Sequence, residues 1–331
     1  MKLPNVVFSA CVAAIAVAGC AGTQETVKYP AQPVTVVIPY PAGNAADVVG
    51  RIVVEKLGQL WGQPVTVENR GGPTTVPGVD LVAKAKADGH TLLIHSISYA
   101  VDAGLYTNLP YDPEKSFAPV APIAKQPFVL VTSPTLGVSS VAQLVGKAKT
   151  GSMKYASLGT TTQVYFVAEQ FRRQAKFDAA NVSVKSLVEA NAMLAKGDAA
   201  FWFPPVAGAM GGIKDGKLTP LAVTADRRVA MLPQVPTMAE AGVPNMESYA
   251  WFGVWAPAGT SAAIVDRISQ DIETALASPD VREKLAKLGA EPMKMTPKQF
   301  GRFVRGEIES SKRFTAELGI KPQAYIPPAK Q

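Results

Sequence analysis

A β-branched run, a Pro/Gly-rich turn and an amphipathic run follow one another without a spacer between residues 33 and 60, and the same unit recurs along the chain. "PVTVVI" (33–38) reads as a strand and "PYPAGNAAD" (39–47) as a tight turn. In 46–60, Val48, Val49, Ile52, Val53, Leu57 and Leu60 share one helical face, opposite Arg51, Glu55 and Gln59. "PVTVEN" (64–69) is a second strand, "GVDLVAKAKAD" (78–88) a helix stopped by Gly89, and "HTLLIHS" (90–96) a third strand. Strand and helix alternating at this spacing specify an α/β fold with a mostly parallel sheet and helices on both faces.

A second series follows. "NLPYDPEKSFAPVAPIA" (108–124) reads as a proline-rich connection, and "PFVLVTSP" (127–134) as the strand that opens the new series. Helices are expected over 139–150, 160–176 and 189–198, and strands over 153–159, 199–203 and 218–225. "GAMGG" (208–212) reads as a Gly-rich turn. A last strand (249–259) and three helices (261–277, 279–288, 297–318) close the chain. Two series with a returning tail predict two lobes: 33–126 with 252–331, and an inserted lobe over 127–251. Crossings near 122–132 and 249–256 would hinge a cleft, a common place for a small ligand.

Composition narrows the function. The net charge is +7, but Lys and Arg are scattered among acids, and no nucleic-acid motif is present, so no nucleic-acid partner is expected. The only cysteines are Cys11 and Cys20 and the only histidines His90 and His95, too few for a transition-metal site. There is no G-x-S-x-G, G-x-x-x-x-G-K-[ST] or G-x-G-x-x-G, so neither catalysis nor a cofactor is expected. His95, beside Ser96 on a strand, reads as structural, since neighbours on a strand face opposite ways.

Residues 1–19 read as a targeting segment, with Lys2 before an apolar run. It ends in "VAGC", which resembles a bacterial lipoprotein signal and would make Cys20 the lipidated first residue; ordinary secretory cleavage is the alternative. Residues 20–32 then read as a tether, and no later segment is long and apolar enough to be a transmembrane helix. The folded part is expected outside the cytoplasm, in a periplasm and held to a membrane by lipid.

Ligands of open α/β sheets bind off the carboxyl ends of the strands, where three junctions stand out. In the first, Tyr40, Gly43, Asn44, Ala45, Ala46 and Asp47 form a turn with Asn44 as N-cap and Asp47 as a variant capping box. The amides of Ala45, Ala46 and Asp47 would then be unpaired first-turn donors with a helix dipole behind them, an anion site without a charged side chain. The second junction offers Ser96 and Ser98 as hydroxyl donors and Tyr99 as an aromatic wall. The third offers Gly159 for close approach, with hydroxyls and amides from Thr160, Thr161 and Thr162. Phe201, Trp202 and Phe203 read as a short aromatic strand of the core, though alternation along "AAFWF" would still turn one face of it, with Phe203, toward the cleft.

Several stretches together carry a family resemblance: "WGQPVTVENRGG", "VAKAKADGHTLL", "LPYDPEKSFAPV", "GKLTPLAVTADRR", "LPQVPTMAEAGVPN" and "PAGTSAAIVDRI". In order and spacing over about residues 29–321 the chain resembles the periplasmic, Bug-type receptors of tripartite tricarboxylate transporters. The resemblance implies a two-lobed, flytrap-like periplasmic binding fold. It implies a monomer that holds a small organic acid by backbone amides, hydroxyls and waters and works with membrane permease subunits or a sensor. The chain departs from the pattern at 44–47, at "GGPTTVPG" (71–78) and at "SVKS" (183–186). Pro204 stands where many members carry an acid that meets amino-acid ligands, which favours a plain carboxylate. These altered loops also leave open a divergent lipoprotein that acts as a protein- or envelope-interaction module.

Overall fold

A computed structural model describes residues 29–327, apart from Pro73 and Thr161. The targeting segment, Cys20 and most of the expected tether lie outside the described residues. The chain runs β1 (Val34–Ile38), α1 (Ala45–Trp61), β2 (Val65–Asn69), α2 (Val76–Ala83), β3 (Thr91–Ser96), α3 (Ser98–Leu105) and β4 (Phe117–Pro127). It continues through β5 (Val129–Thr132), α4 (Val141–Thr150), β6 (Met153–Ser157), α5 (Gln163–Ala175), β7 (Ala179–Ser183), α6 (Leu187–Lys196), β8 (Phe201–Trp202), α7 (Val206–Lys214) and β9 (Thr219–Val223). It returns through β10 (Tyr249–Pro257), α8 (Ala262–Ala277), α9 (Pro279–Lys287), β11 (Glu291–Pro292) and α10 (Pro297–Glu317).

These strands form two sheets. One has the order β11-β4-β10-β3-β1-β2, the other β7-β6-β8-β5-β9. β1, β2 and β3 are mutually parallel, and β10 runs antiparallel between β3 and β4. Both sheets are mixed rather than mostly parallel, since β10 pairs antiparallel with β3 and β4, β11 with β4, and β5 with β8 and β9. Each is apolar on both faces, as strands covered on both sides require. In the first, Val36 and Ile38 face one core with Val49, Val53 and Leu57 of α1, while Val37 faces the other with Trp251, Trp255 and Phe300. Each such side chain contributes about 1.5–3 kcal/mol by leaving water. Gly50 brings α1 close to the sheet, because a Cβ there would stand 3.0 Å from Ile38 Cδ1.

Two expectations are corrected. "GAMGG" is no turn: it lies inside α7, whose Val206 and Ala209 pack in the second unit's core. Three glycines lower helix propensity, but the burial of that face overrides them. The proline-rich stretch ending at Ala124 holds much of β4, an eleven-residue strand. β11 pairs only with Lys125 and Ala124, so among the described residues most of the outer edge of β4 has no strand beside it. Prolines are tolerated where the missing N–H would face such an edge. Two register shifts against β10 absorb the rest.

The chain passes between the sheets twice, from β4 through Phe128 to β5 and from Ser248 into β10. Thr224, fully buried, ties the passages together. Its Oγ1 accepts from the Phe128 amide at 2.9 Å and donates to the Ser248 carbonyl at 2.6 Å. A second contact joins the units: Phe166 of α5 packs with Val101 and Leu105 of α3 and lies edge-on to Phe314 of α10 at 5.7 Å.

Candidate ligand-binding site

The first junction is a built turn. Asn44 caps α1, its Oδ1 accepting from the Ala46 amide at 3.0 Å. Gly43, at φ +82°, occupies the left-handed region that glycine tolerates best. Asp47 is buried and reaches back one residue further than a capping box does: its Oδ2 accepts from the Gly43 amide at 2.8 Å. Its Oδ1 accepts from Arg51 Nε at 2.8 Å and Asn69 Nδ2 at 2.9 Å. Burial pushes this carboxyl up, but the bonds from Arg51, Gly43 and Asn69 outweigh burial and hold it below its usual range. Asn69 also donates to the Tyr40 carbonyl at 3.0 Å, so the end of β2 fastens the turn after β1. Gly71 allows a close approach, since a Cβ there would stand 2.6 Å from Pro41 N.

This wiring corrects one expectation. The Ala46 amide is engaged by Asn44 and is not free for a ligand. Among the described residues, the amides of Ala45 and Asp47 receive no acceptor, so two of the three expected donors remain. Arg51, the cation beside them, is committed to Asp47 and Asn69.

At the second junction the Tyr40 hydroxyl lies 2.7 Å from Ser96 Oγ and 3.2 Å from His95 Nδ1. Burial pushes the Tyr40 phenol up, against the pull of Ser96 and Ser98, so it stays protonated and able to donate. His95 is fully buried, and burial pulls it down to about 4. Its Nε2 has no partner among the described residues, and no carboxylate touches it. Tyr99 is not a ligand wall. It is 1% exposed, stacks on Trp255 at 4.8 Å and donates its hydroxyl to the Pro113 carbonyl, because the first turn of α3 rotates it into the core.

At the third junction α5 begins at Gln163, later than expected. Thr162 is the N-cap residue, but its side chain caps no amide; the hydroxyl donates to the Gly159 carbonyl at 2.7 Å. Among the described residues, which leave out Thr161, the first-turn amides of Gln163 and Val164 receive no acceptor. Thr160 is exposed and Thr161 lies outside the described residues. Gly159 has φ +108°, and its amide donates to Ser157 Oγ at 3.2 Å.

Phe203 is also corrected. It is fully buried, 5.6 Å from the Phe171 ring, in the core on one side of the second sheet. Trp202 points into the opposite core, so alternation leaves no side of this strand facing a cleft.

Sequence reasoning missed Asn69, Thr75 and Asp102. Thr75 donates to Asp102 Oδ2 at 2.5 Å, pinning the segment before α2 to α3. Burial pushes the Asp102 carboxyl up to about 6, with Thr75 pulling the other way. The one available signal was that Ser98 and Asp102 stand four apart on a helix and share a face.

The first two junctions are joined through Tyr40 and Ser96, while among the described residues no hydrogen bond links them to the third. A cavity of about 640 Å³ lies alongside, and it is lined by none of the expected residues. Its wall starts one position later in each case, at Ile97 after Ser96 and at Gln163 after Thr162.

Two α/β units joined by paired strand passages, with helix N-termini at the strand ends, define the class of two-lobed periplasmic binding proteins. Over residues 49–320 the chain matches the tripartite tricarboxylate transporter family receptor, and it belongs to that family. BugT of Bordetella pertussis is 34% identical over 311 residues, which cover 93% of this chain and 95% of BugT. Among solved structures, the chain is similar to R. palustris Rpa4515 with adipate (TM-score 0.78, 30% identity, 89% of this chain and 100% of that one). It is also similar to MatC of Rhodopseudomonas palustris with bound malate (TM-score 0.71, 28% identity, 86% and 99%). The family is one of transporter receptors, and BugD, another solved structure similar to the chain, is a periplasmic binding protein.

Proposed function

We propose that the chain binds a small dicarboxylate between the turn at 40–47 and the start of α5, and delivers it to membrane permease subunits. The observation that carries this is the set of amides at Ala45, Asp47, Gln163 and Val164 that receive no acceptor among the described residues, at two helix N-termini of the two units. A carboxylate at each end matches the partial positive charge of each helix start. The hydroxyls of Tyr40, Ser96 and Ser98 add neutral donors beside the first turn. The Pro204 side chain offers an ammonium group no acceptor, and its carbonyl already accepts from the Val129 amide at 2.9 Å, which favours plain acids over amino acids. The relatives that hold adipate and malate support the same ligand class.

In this reading the units 33–126 with 252–331 and 127–251 are lobes, and the passages at Phe128 and Ser248 are the hinge. Cys20 carries a lipid that keeps the receptor near its permease, and the receptor acts as a monomer. A thermal-shift panel of mono-, di- and tricarboxylates tests the central point. A cognate acid at a hundredfold over its dissociation constant stabilises the protein by about 2.7 kcal/mol. A folded protein unmoved by the whole panel refutes the assignment. Release of the protein from membranes by Cys20→Ala tests the anchor; unchanged retention refutes it.

A further inference from the structure

The cavity of about 640 Å³ has a chemistry unlike that of the strand-end turns. α10 and the hinge strand β10 supply Phe303, Glu307 and Trp251, Met293 and Met295 add two thioethers, and α5 closes it from the other unit with Phe166. The volume falls in the range of small-molecule sites. Glu307 is the singular group. Its Oε2 accepts from Trp251 Nε1 at 2.8 Å, and no cation pairs with it among the described residues. Burial pushes its carboxyl up, with the Trp251 bond pulling the other way. Lys125, the other charged group deep in the lining, stands 3.9 Å over the Tyr249 ring and forms no ion pair with Glu307. The remaining charges, Arg173, Arg313, Glu247 and Glu317, are exposed and balance in sign.

A carboxyl short of a counter-ion, walled by aromatic rings and thioether sulfurs, is the setting that recognises an organic cation. We propose that this cavity is a second ligand site, which takes a small organic amine with an apolar arm and seats its ammonium on Glu307. The apolar arm lies against Trp251 and Phe303, whose rings meet at 5.1 Å. Walls from both units make occupancy depend on their arrangement, so the amine and the acid of the proposed cleft alter each other's affinity by the same factor.

The probe is phenethylamine, titrated calorimetrically into the full chain, with phenylethanol as the uncharged match. Saturable binding of phenethylamine, about tenfold or more tighter than that of phenylethanol and weakened about tenfold or more by Glu307→Gln, supports the site. No saturable phenethylamine binding at millimolar concentration overturns it, as does equal binding of the alcohol. The alcohol comparison uses the unmodified chain and does not depend on the variant folding. Titrating a cleft acid into the same sample separates the outcomes, because loss of amine binding leaves the carboxylate reading untouched, and the reverse.

Discussion

Replacing Asp47 by Asn leaves the shape of the side chain and removes its charge. In the native turn the carboxylate accepts three hydrogen bonds, from Gly43, Arg51 and Asn69. The amide can keep one oxygen in place and turns an NH₂ group toward donors that need an acceptor. A hydrogen bond to a charged group contributes about 1.5–3 kcal/mol, and Arg51, half exposed, belongs at the low end of that range. The expected loss is about 3 kcal/mol, which for a unit of this size lowers the melting midpoint by roughly 6–12 °C. The sign of the pH dependence follows from a carboxyl held below its usual range. Its contribution is complete above the unfolded carboxylate value of about 4 and disappears as pH falls through the lower folded value. Urea unfolding of both proteins from pH 7 downward should therefore show a constant gap that closes on acidification. A gap under about 0.5 kcal/mol at pH 7, or one that widens in acid, refutes the wiring of this turn.

Three further outcomes are expected. His95 is neutral when folded, so between pH 6.5 and about 4 the unfolded chain binds the extra proton and stability falls with acidification, by up to about 3 kcal/mol; in His95→Gln that part of the urea–pH slope is absent. Thr224→Val strips the Phe128 amide and the Ser248 carbonyl of a buried partner and costs about 1–3 kcal/mol by denaturant unfolding. Gly253→Ala drives a methyl to 2.3 Å from Phe300 Cζ and destabilises by about 1–3 kcal/mol in the same assay, whereas Gly306→Ala, with nothing within 4 Å, does not.

Local signals in the sequence reported local physics faithfully. Asn44 before an amphipathic run is a cap, and it caps; the β-branched runs at 33–38, 64–69 and 90–96 pair as parallel neighbours. Signals that depend on partners elsewhere were not legible. The Ala46 amide looked free because a sequence does not show where the Asn44 side chain turns. Phe203 looked cleft-facing because nothing in "AAFWF" says that helices cover both sides of that strand. β4 was hidden by prolines that a mostly open sheet edge tolerates, and Asn69 by sitting at the end of a strand whose neighbour it fastens. At α5 the threonine run drew attention three residues too early, since the free amides belong to the helix that follows it.

The central claim is that two helix starts share one acid. Selective ¹⁵N labelling of alanine and valine reports both, through the amides of Ala45 and Val164. Titration with the acid that gives the largest thermal shift should move these two resonances together and saturate at the calorimetric dissociation constant. Binding that leaves both resonances in place, or moves only those around Phe303 and Glu307, contradicts the account.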